Sequence, residues 1–419
     1  MIARRIAQGI QTEQRDWTLS QNTPELAALF GGPPSYSGES VSVEGSLALI
    51  PVYAAVNVIA STVGVMPCHV YRRLARGRER ATDTWQYRLL HESPNPEMAP
   101  GQFFETIVLQ MLLWGNAYLE KVKGSFAGAP RVMELWPITP SRVHVDRRKS
   151  DGAKVFEIDR GHQSDDFTSG GTFTEREILH IPALGYDGTT GMSPIGKARQ
   201  EIGNALSRQK FQGGLYKRGA KISGVIERPA TAPKWSDDAA GKFKAQWRAW
   251  FEGGGAQEGG TPVLQDGMTY KPMTMPLKDQ QFIEQGQFTT TQIATLFNMP
   301  ASKINGQTGD SLTYGNREQD ATDFVTFTCL PWTNRAEQGL WRDNDLFPSR
   351  TFYPQLVPEG LLRGDSNQRA SFYKAMADLK VLTPNDIAEL EDRPIRPGGD
   401  EFPTPTQPTT PAPPGGDDE

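Results

Sequence analysis

The segment from Gly191 to Ala198 comes closest to a known chemical motif, because its glycines and its lysine have the spacing of a phosphate-binding loop. Such a loop points backbone N–H groups at a phosphate and ends in a hydroxyl residue that binds Mg²⁺. Here that last position is Ala198, and Pro194 removes one backbone donor. Ser193 and Pro194 instead suit the N-cap and the first position of a helix. The segment therefore predicts a helix start without nucleotide binding.

The histidines, cysteines and carboxylates form no pattern that predicts catalysis or metal binding. The five histidines are scattered without HExxH or similar ligand spacing, and the sequence has no GxSxG nucleophile motif. Cys68 and Cys329 lie far apart and lack the CxxC spacing of a metal site, which favours a reducing, cytosolic environment. We therefore expect no enzyme activity, no metal and no cofactor.

Residues 197 to 221 carry a marked excess of positive charge, opposed by a single acid, Glu201. Two interpretations are equally open for this run. The basic side chains could face DNA phosphates or an acidic partner, or they could form the polar face of a helix that packs between subunits. The residues are Lys197, Arg199, Arg208, Lys210, Lys217, Arg218 and Lys221.

Composition argues against a tight DNA-binding protein and against a membrane protein. The formal net charge is -5, whereas a domain that grips nucleic acid is usually basic. The hydrophobic share of 37% is low and glycine and proline are abundant, which is typical of an elongated or loop-rich protein rather than one compact enzyme. The most apolar stretch, 107–119, is short and interrupted by polar residues, so no membrane span is predicted.

Two helical segments enclose a compact, turn-rich insert between residues 193 and 297. Apolar residues recur at helical spacing from Ile195 to Leu206, and the pattern repeats over 277–297. Glycines and prolines between the two segments predict short strands and one short helix. A helix leading out, a small insert and a helix leading back predict a stalk that presents its tip to a partner.

Residues 46–190 predict one body with a mixed β-sheet flanked by helices. Helices are expected over 51–65 and 103–114, the second ending at Gly115, and a hairpin turn is expected at 76–78. Strands are expected near 68–73, 117–122, 132–136, 143–146, 155–158 and 178–181.

The remaining segments predict a less compact periphery. Residues 1–45 are polar and rich in glycine, proline and serine, which indicates a mobile arm. A mostly helical segment is expected over 317–341 and a short helical pair over 365–392, with a helix start at Thr383 to Asp386. From Arg396 onward the chain lacks the apolar content needed to fold.

The order of these segments, together with several short motifs, resembles the portal proteins of tailed bacteriophages, of the type found with HK97-like capsids. Each motif alone is weak, but their occurrence in this order is specific. The motifs are Leu89-Leu90, Pro94-Asn95-Pro96, Phe103-Phe104, Gly115-Asn116-Ala117-Tyr118, Leu135-Trp136-Pro137 with Pro140, Gly191-Met192-Ser193-Pro194-Ile195, Ala220-Lys221-Ile222-Ser223-Gly224, Phe297-Asn298-Met299-Pro300 and Thr313-Tyr314-Gly315-Asn316.

The resemblance implies an α+β portal fold that forms rings, with a mixed α/β wing, a two-helix stem, a small α/β clip and a short helical crown. The implied boundaries are an N-terminal arm at 1–45, the wing at 46–192 and 318–360, the stem at 193–219 and 277–297, the clip at 220–276, a tunnel loop region at 298–317, the crown at 361–395 and a disordered tail at 396–419.

The resemblance also implies a function, as a ring of about twelve subunits at one capsid vertex through which double-stranded DNA is packaged and ejected. The implied partners are further copies of the chain, the terminase large subunit, the major capsid protein and head–tail connector or adaptor proteins. In this family the terminase hydrolyses ATP, so the chain itself needs no cofactor. The implied location is the virion, with the host cytoplasm during assembly.

Within that resemblance, the polar segment 303–316 corresponds to the tunnel loop that narrows the channel. The alternative interpretation is a plain solvent loop that caps the next helix. DNA would be contacted without sequence readout, since a passing genome presents every sequence. The DNA-facing candidates are Lys303, Leu312, Thr313, Tyr314 and Arg317.

Two other functions compete with the portal interpretation. A neck or tail adaptor would also be structural, but it would not need paired stem helices around an insert. A terminase-like packaging enzyme would need an intact phosphate loop or an acidic metal cluster, and the sequence shows neither motif.

The size of a ring of twelve stem helices is compatible with a DNA channel. Twelve helices spaced about 9 Å apart would leave a bore of about 24 Å, slightly wider than a DNA duplex.

Overall fold

The computed structural model describes residues 35–126, 129–159, 170–217, 224–229, 231, 236–251, 268–272, 279–304, 320–358, 366–391 and 394–402. Contacts divide the chain into two units, Met1–Pro358 and Glu359–Glu419. Within the described part of the first unit, no helix is long and apolar enough to cross a membrane, and the same holds for the second.

The described helices of the first unit range from single turns to five turns. They are α1 (Val43–Ser46), α2 (Ile50–Gly64), α3 (Trp85–Tyr87), α4 (Pro100–Trp114), α5 (Pro194–Lys197), α6 (Arg199–Lys217), α7 (Asp237–Phe251), α8 (Asp279–Leu296) and α9 (Leu330–Arg342). Short π-helical turns cover Arg88–Glu92 and Phe324–Cys329, and 3₁₀ turns cover Pro140–Arg142 and Ala301–Ile304.

The strands pair into four small sheets. They are β1 (Cys68–Arg73), β2 (Arg78–Arg80), β3 (Asn116–Phe126), β4 (Ala129–Ile138), β5 (Val143–Arg147), β6 (Lys154–Ile158), β7 (Gly171–Thr174), β8 (Ile178–Pro182), β9 (Gly224–Glu227), β10 (Thr269–Pro272) and β11 (Phe352–Leu356). In spatial order the sheets are β11-β1-β2, β4-β3-β8, β5-β6-β7 and β10-β9.

The predicted strands are confirmed, but the predicted mixed sheet is wrong. Every pairing among the described strands is antiparallel. Neighbouring strands such as β3 and β4 or β5 and β6 follow each other closely in sequence, and tight connections permit only antiparallel pairing. The predicted hairpin at 76–78 is confirmed, with Arg73 paired to Arg78 across the turn.

Helices α2 and α4 form the centre of the main hydrophobic core, as their apolar spacing predicts. Each starts with a proline in its first turn, and α4 ends at Gly115, whose φ of 75° is left-handed. The buried apolar residues of the two helices are Val52, Ala55, Val56, Ile59, Ala60, Val63, Phe103, Phe104, Ile107, Val108, Met111, Leu112 and Leu113. A smaller core around Phe156 lies between the sheets of β3 and β6.

The predicted mobile arm is wrong for its last eleven residues. Val41 is 4% exposed and belongs to the main core. The backbone N–H of Tyr36 donates to Gln200 Oε1 at 2.8 Å, and Glu39 forms an ion pair with Lys210. Residues 35–45 are therefore packed along α6, and residues 1–34 lie outside the described residues.

The second unit contains α10 (Ser366–Asp378) and α11 (Pro384–Leu390), in agreement with the predicted helical pair. Thr383 and Asp386 cap the start of α11 reciprocally, with 2.7 Å between Thr383 N and Asp386 Oδ2. The predicted tail is wrong for its first residues, because Asn385 Nδ2 donates to the carbonyl oxygen of Arg396 at 3.0 Å and to Asp400 Oδ1 at 2.9 Å. Residues 403–419 lie outside the described residues.

Candidate functional site

Helices α6 and α8 are the two long elements that the sequence predicts as a stalk. Their core-facing ends are buried, through Ile202 and Ala205 on α6 and through Ile293 on α8. Farther along, Arg208 Nη2 donates to Thr289 Oγ1 at 2.6 Å, which ties the two helices together. None of the described side chains of α6 beyond Ala205 is buried, so most of this helix projects away from the core.

The insert between these helices begins and ends in a two-stranded antiparallel sheet. Strand β9 pairs with β10 from Gly224 opposite Pro272 to Glu227 opposite Thr269. This pairing brings the chain back beside itself after the excursion through α7. The described elements therefore comprise one helix and two short strands, the types that the sequence predicts for the insert.

The described residues of the predicted basic face contact different partners. Lys197 donates to the hydroxyl of Tyr186 at 3.3 Å, while Arg208 contacts α8 and Lys210 pairs with Glu39. Because a helix turns about 100° per residue, Arg208 and Lys210 lie on nearly opposite sides of α6. Arg199 shares the side of Lys210.

The two interpretations of this basic run, contact with DNA or an acidic partner and packing between subunits, stay predictions. Ala198, with φ of -88° and ψ of 13°, separates α5 from α6, so Lys197 lies on a different helix from the basic residues after it. Lys217 is the last residue of α6, and Arg218 and Lys221 lie outside the described residues.

Asn116 joins two of the sequence motifs that lie 75 residues apart. Its Oδ1 accepts from the backbone N–H of Gly191 at 2.7 Å, and its Nδ2 donates to the carbonyl oxygens of Gly191 at 2.9 Å and Trp114 at 3.2 Å. These bonds fix the orientation of the amide, because a flipped amide would oppose donor to donor and acceptor to acceptor. His180 Nε2 lies 2.9 Å from the same Oδ1 and is therefore the protonated nitrogen.

Burial keeps His180 neutral. It lowers the pKa of His180 to about 3, with a smaller contribution from the charge of Lys154. The imidazole stacks on the ring of Tyr118 with 4.7 Å between centroids. Burial also raises the pKa of the Tyr118 phenol, so both rings act as neutral packing groups beside Asn116.

Ser193 and two glycines complete this junction, which we call the Asn116 junction and define by Gly115, Asn116, His180, Gly191 and Ser193. Ser193 Oγ donates to the carbonyl oxygen of Leu113 at 2.7 Å and accepts from the N–H of Gly196 at 3.0 Å. It thereby caps α5 and ties that helix start to the end of α4. A Cβ at Gly191 would overlap the carbonyl oxygen of Gly115, so the close approach requires glycine.

A second buried polar cluster joins β3 to the segment after α9. Lys121 has no exposed side-chain surface, and its Nζ bonds Asp343 Oδ2 at 2.5 Å and Asp345 Oδ2 at 2.9 Å. The third donor of Lys121 goes to the carbonyl oxygen of Glu175 at 2.8 Å. A buried cation with all its donors satisfied fixes the register of these segments, because removal of one partner would leave a charge uncompensated.

The base of the predicted tunnel loop is a closed structure. Helix α8 ends in a left-handed residue, Asn298, with φ of 51°, and Met299 N donates back to Ala294 O at 2.9 Å. Lys303 Nζ lies 3.0 Å from Asp320 Oδ2, so the two ends that flank residues 305–319 are held together.

The five tunnel loop candidates are placed differently. Lys303 is half-buried, pairs with Asp320 and lies 5.7 Å from the ring centroid of Phe324, so its charge is largely used within the chain. The other four candidates, Leu312, Thr313, Tyr314 and Arg317, lie outside the described residues. Their DNA contacts stay a prediction.

The motifs of the Asn116 junction could be found in the sequence, but the contacts between them could not be predicted from it. The available signal was that each motif pairs a glycine with a residue that bonds backbone groups, Asn116 or Ser193. Lys121 was missed as well, although it follows Ala117 and Leu119 on the buried side of an alternating strand. Among the described residues, no group of three or more histidine, cysteine or acidic side chains could hold a metal.

Comparisons with known proteins agree with this architecture. The chain matches the phage portal protein family over residues 51–392. It is 27% identical over 389 residues to the portal protein of Enterobacteria phage HK97, which covers 88% of this chain and 85% of that protein.

Solved structures show the same fold at lower identity. An HK97 family phage portal protein from Corynebacterium diphtheriae has a TM-score of 0.55 at 14% identity, covering 76% of this chain and 96% of that chain. A chain from the neck of a native gene transfer agent particle, computed with C12 symmetry, has a TM-score of 0.51 at 19% identity, covering 94% and 99%. The family match spans most of the sequence, and the chain therefore belongs to the phage portal protein family, of the HK97 type.

Proposed function

We propose that this chain is one subunit of a ring of about twelve copies that forms the DNA channel at a single capsid vertex. The observation that carries the proposal is the pair of long helices α6 and α8, which are joined by the bond from Arg208 to Thr289 and enclose a segment whose described strands β9 and β10 pair with each other. The C12 symmetry of the gene transfer agent neck, whose chain shares this fold, supports the copy number.

Portal proteins are structural components of phage particles, not enzymes, and the chain shares that role through its family. In the proposed assignment, residues 46–192 and 318–360 form the wing, 193–219 and 277–297 the stem, 220–276 the clip and 361–395 the crown. The Asn116 junction would lie at the boundary between the first two parts, where its bonds join the end of α4 to the start of α5.

The proposed DNA-facing segment is the tunnel loop. Its support is the ion pair of Lys303 and Asp320, which joins the two residues that flank this polar segment shortly after α8 ends at Leu296. Leu312, Thr313, Tyr314 and Arg317 would supply contacts that are weak and independent of sequence.

The proposed partners follow from the order of events at a portal. The terminase large subunit would dock on the clip during packaging, and head–tail connector or adaptor proteins would replace it afterwards. The major capsid protein would surround the wing. The subunit would enter the ring in the host cytoplasm and remain in the virion.

Imaging of the purified full-length chain tests the ring. Negative-stain electron microscopy and native mass spectrometry at moderate salt should show rings with a central hole and a mass about twelve times that of the chain. The same measurements in the presence of the major capsid protein provide the matched condition, since a partner can lower the concentration needed for assembly. A chain that stays monomeric or dimeric in both conditions would contradict the proposal and favour a neck or tail adaptor.

A further inference from the structure

A second feature of the first unit is an open cleft of about 830 Å³, separate from the predicted stem and tunnel loop. It lies between strands β4, β6 and β8 on one side and helix α9 with the segment after it on the other. Its volume falls within the range of about 300–1,000 Å³ that is typical of sites for small ligands and short peptide segments.

The lining of this cleft has an excess of positive charge, whereas the whole chain is negatively charged. Six lysine or arginine side chains face three carboxylates in the cleft, although the chain has a net charge of -5. Two of these carboxylates, Asp343 and Asp345, already bond Lys121 and Lys123. Of the three acids in the lining, Glu175 is therefore the one whose carboxylate forms no ion pair with these two lysines.

Four of the cations form no ion pair with any residue that the structure describes. They are Lys154, Arg176, Arg335 and Arg342. Burial lowers the pKa of Lys154, the charge of Glu175 opposes part of this change, and the charges of Arg147 and Arg342 add to it. Lys154 is half-buried, whereas Arg176 and Arg342 are exposed in the same lining, and like charges that share a cleft favour binding of the opposite charge.

We propose that this cleft binds an acidic peptide segment of a protein partner, with the carboxylates of the segment placed between Arg176, Arg342 and Lys154. Guanidinium groups bind carboxylates through paired N–H donors, which gives such bonds a defined geometry. A concave cleft of this size admits one extended peptide. The convex surface of a DNA duplex can bring only a few phosphates to it, so DNA is the less suitable ligand. The inference concerns the wing surface and does not depend on the channel function.

Fluorescence anisotropy with the full-length chain tests the proposal. The probe is a labelled eight-residue peptide that alternates aspartate and alanine, and its neutral counterpart alternates asparagine and alanine. We expect the acidic peptide to bind at least ten times more tightly than the neutral one. The R176Q/R342Q variant should lose at least tenfold in affinity.

A matched variant separates the cleft from general electrostatic attraction. Lys242 and Lys244 are exposed residues of α7 that do not line the cleft, and K242Q/K244Q removes the same charge as the cleft variant. It should change the affinity less than twofold. Equal losses in both variants, or equal binding of the acidic and neutral peptides, would overturn the proposal.

Zero-length carbodiimide coupling locates the bound peptide in the unmodified chain, and so does not depend on how any variant folds. Peptide aspartates should couple to Lys154 or Lys123 and not to Lys242. The internal pair of Lys123 and Asp345, 2.9 Å apart, reports that the reagent acts in this region. Coupling only outside the cleft would overturn the proposal. Binding of a short DNA duplex that depends on Arg176 and Arg342, with no binding of the peptide, would also overturn it. Ring formation is measured separately, so its failure would not be confused with this result.

Discussion

At the scale of single residues, the polar groups that matter most in this protein are amides and hydroxyls that bond backbone atoms. Asn116 uses both ends of its amide, and its partners lie on a helix end, a strand and a glycine turn. The residue is 9% exposed, so water cannot replace a lost bond without rearrangement. A substitution that keeps the shape of Asn116 but changes its hydrogen-bonding groups should therefore lower the free energy of unfolding more than the small change in size suggests.

The first prediction concerns Asn116→Asp, which preserves shape but replaces the amide donor by an acceptor. The new oxygen would face the carbonyl oxygens of Gly191 and Trp114, so the free energy of unfolding should fall by about 2–4 kcal/mol. Urea unfolding followed by circular dichroism measures this change. Asn334→Asp, at an exposed site on α9, is the control and should cost less than about 0.5 kcal/mol. Equal losses of stability in the two variants would contradict a stabilising role for the Asn116 junction.

Glu337 on α9 has a partly buried carboxyl whose charge changes in the neutral pH range. Burial raises the pKa of Glu337 to about 7, while a bond from the N–H of Leu356 at 2.8 Å partly opposes the rise. The folded state thus favours the protonated acid. Its stabilising effect is complete below the unfolded pKa near 4.5 and is lost as pH rises through about 7.

The second prediction follows from that sign. Glu337→Gln keeps an oxygen for the N–H of Leu356 but removes the charge, so the variant should be more stable than the natural chain by about 1–3 kcal/mol at pH 8. Near pH 4, below the unfolded pKa, the two chains should be alike. Thermal unfolding at both pH values measures the difference, and the exposed Glu97→Gln serves as control. A difference that is independent of pH would show that burial of the carboxyl is not its cause.

At the scale of elements, the start of α5 illustrates how one residue can serve a helix and its surroundings together. Ser193 caps α5 locally through Gly196 and reaches the end of α4 through Leu113. Ser236 also caps a helix, α7, but its hydroxyl accepts only from Ala239 N at 3.3 Å among the bonds that the structure describes for it. The two serines therefore separate local capping from the tie between elements.

The third prediction compares these two serines. Ser193→Ala should lower the free energy of unfolding by about 2 kcal/mol, because it removes a cap and leaves a carbonyl oxygen of α4 without its donor. Ser236→Ala should cost about 1 kcal/mol or less, since the cap is exposed. Chemical unfolding of both variants gives the values. Combining Ser193→Ala with Asn116→Asp should give a loss smaller than the sum of the single losses, because both act on one junction.

At the scale of the whole molecule, the net charge limits how tightly the proposed channel would bind DNA. The chain is acidic overall, and Lys197, Lys210 and Lys303 are all used in contacts within the chain. Each phosphate that a protein neutralises adds affinity that depends on salt. A channel that neutralised many phosphates would hold the DNA rather than let it pass.

The fourth prediction is weak, shallow salt dependence of DNA binding by the assembled ring. The slope of log affinity against log salt should be smaller in magnitude than about 3, which corresponds to about three neutralised phosphates. Salt titrations with a labelled duplex measure the slope. Arg317→Gln should reduce its magnitude by no more than about one, and the exposed Arg148→Gln should leave it unchanged. A slope near that of a tight DNA-binding protein would contradict the channel interpretation.

The sequence by itself determined the positions of most helices and strands in the described residues. The reason is that apolar periodicity and turn residues act over a few positions, so α2, α4 and the strands from 68 to 182 could be predicted locally. The same reasoning could not predict that the strands pair only antiparallel. It also failed for residues 35–45 and 396–402, because their packing depends on Gln200, Lys210 and Asn385.

The tertiary structure alone decided which polar residues act together. Asn116 meets Gly191 across 75 positions, and Lys121 meets Asp343 across 222, distances over which sequence spacing carries no geometric information. It also decided that the basic residues of α6 point to different partners, since the interruption at Ala198 and the course of residues 35–39 determine their surroundings. Composition shows how much charge a chain carries, but only the fold shows which charges are neutralised, because neutralisation depends on distances in space.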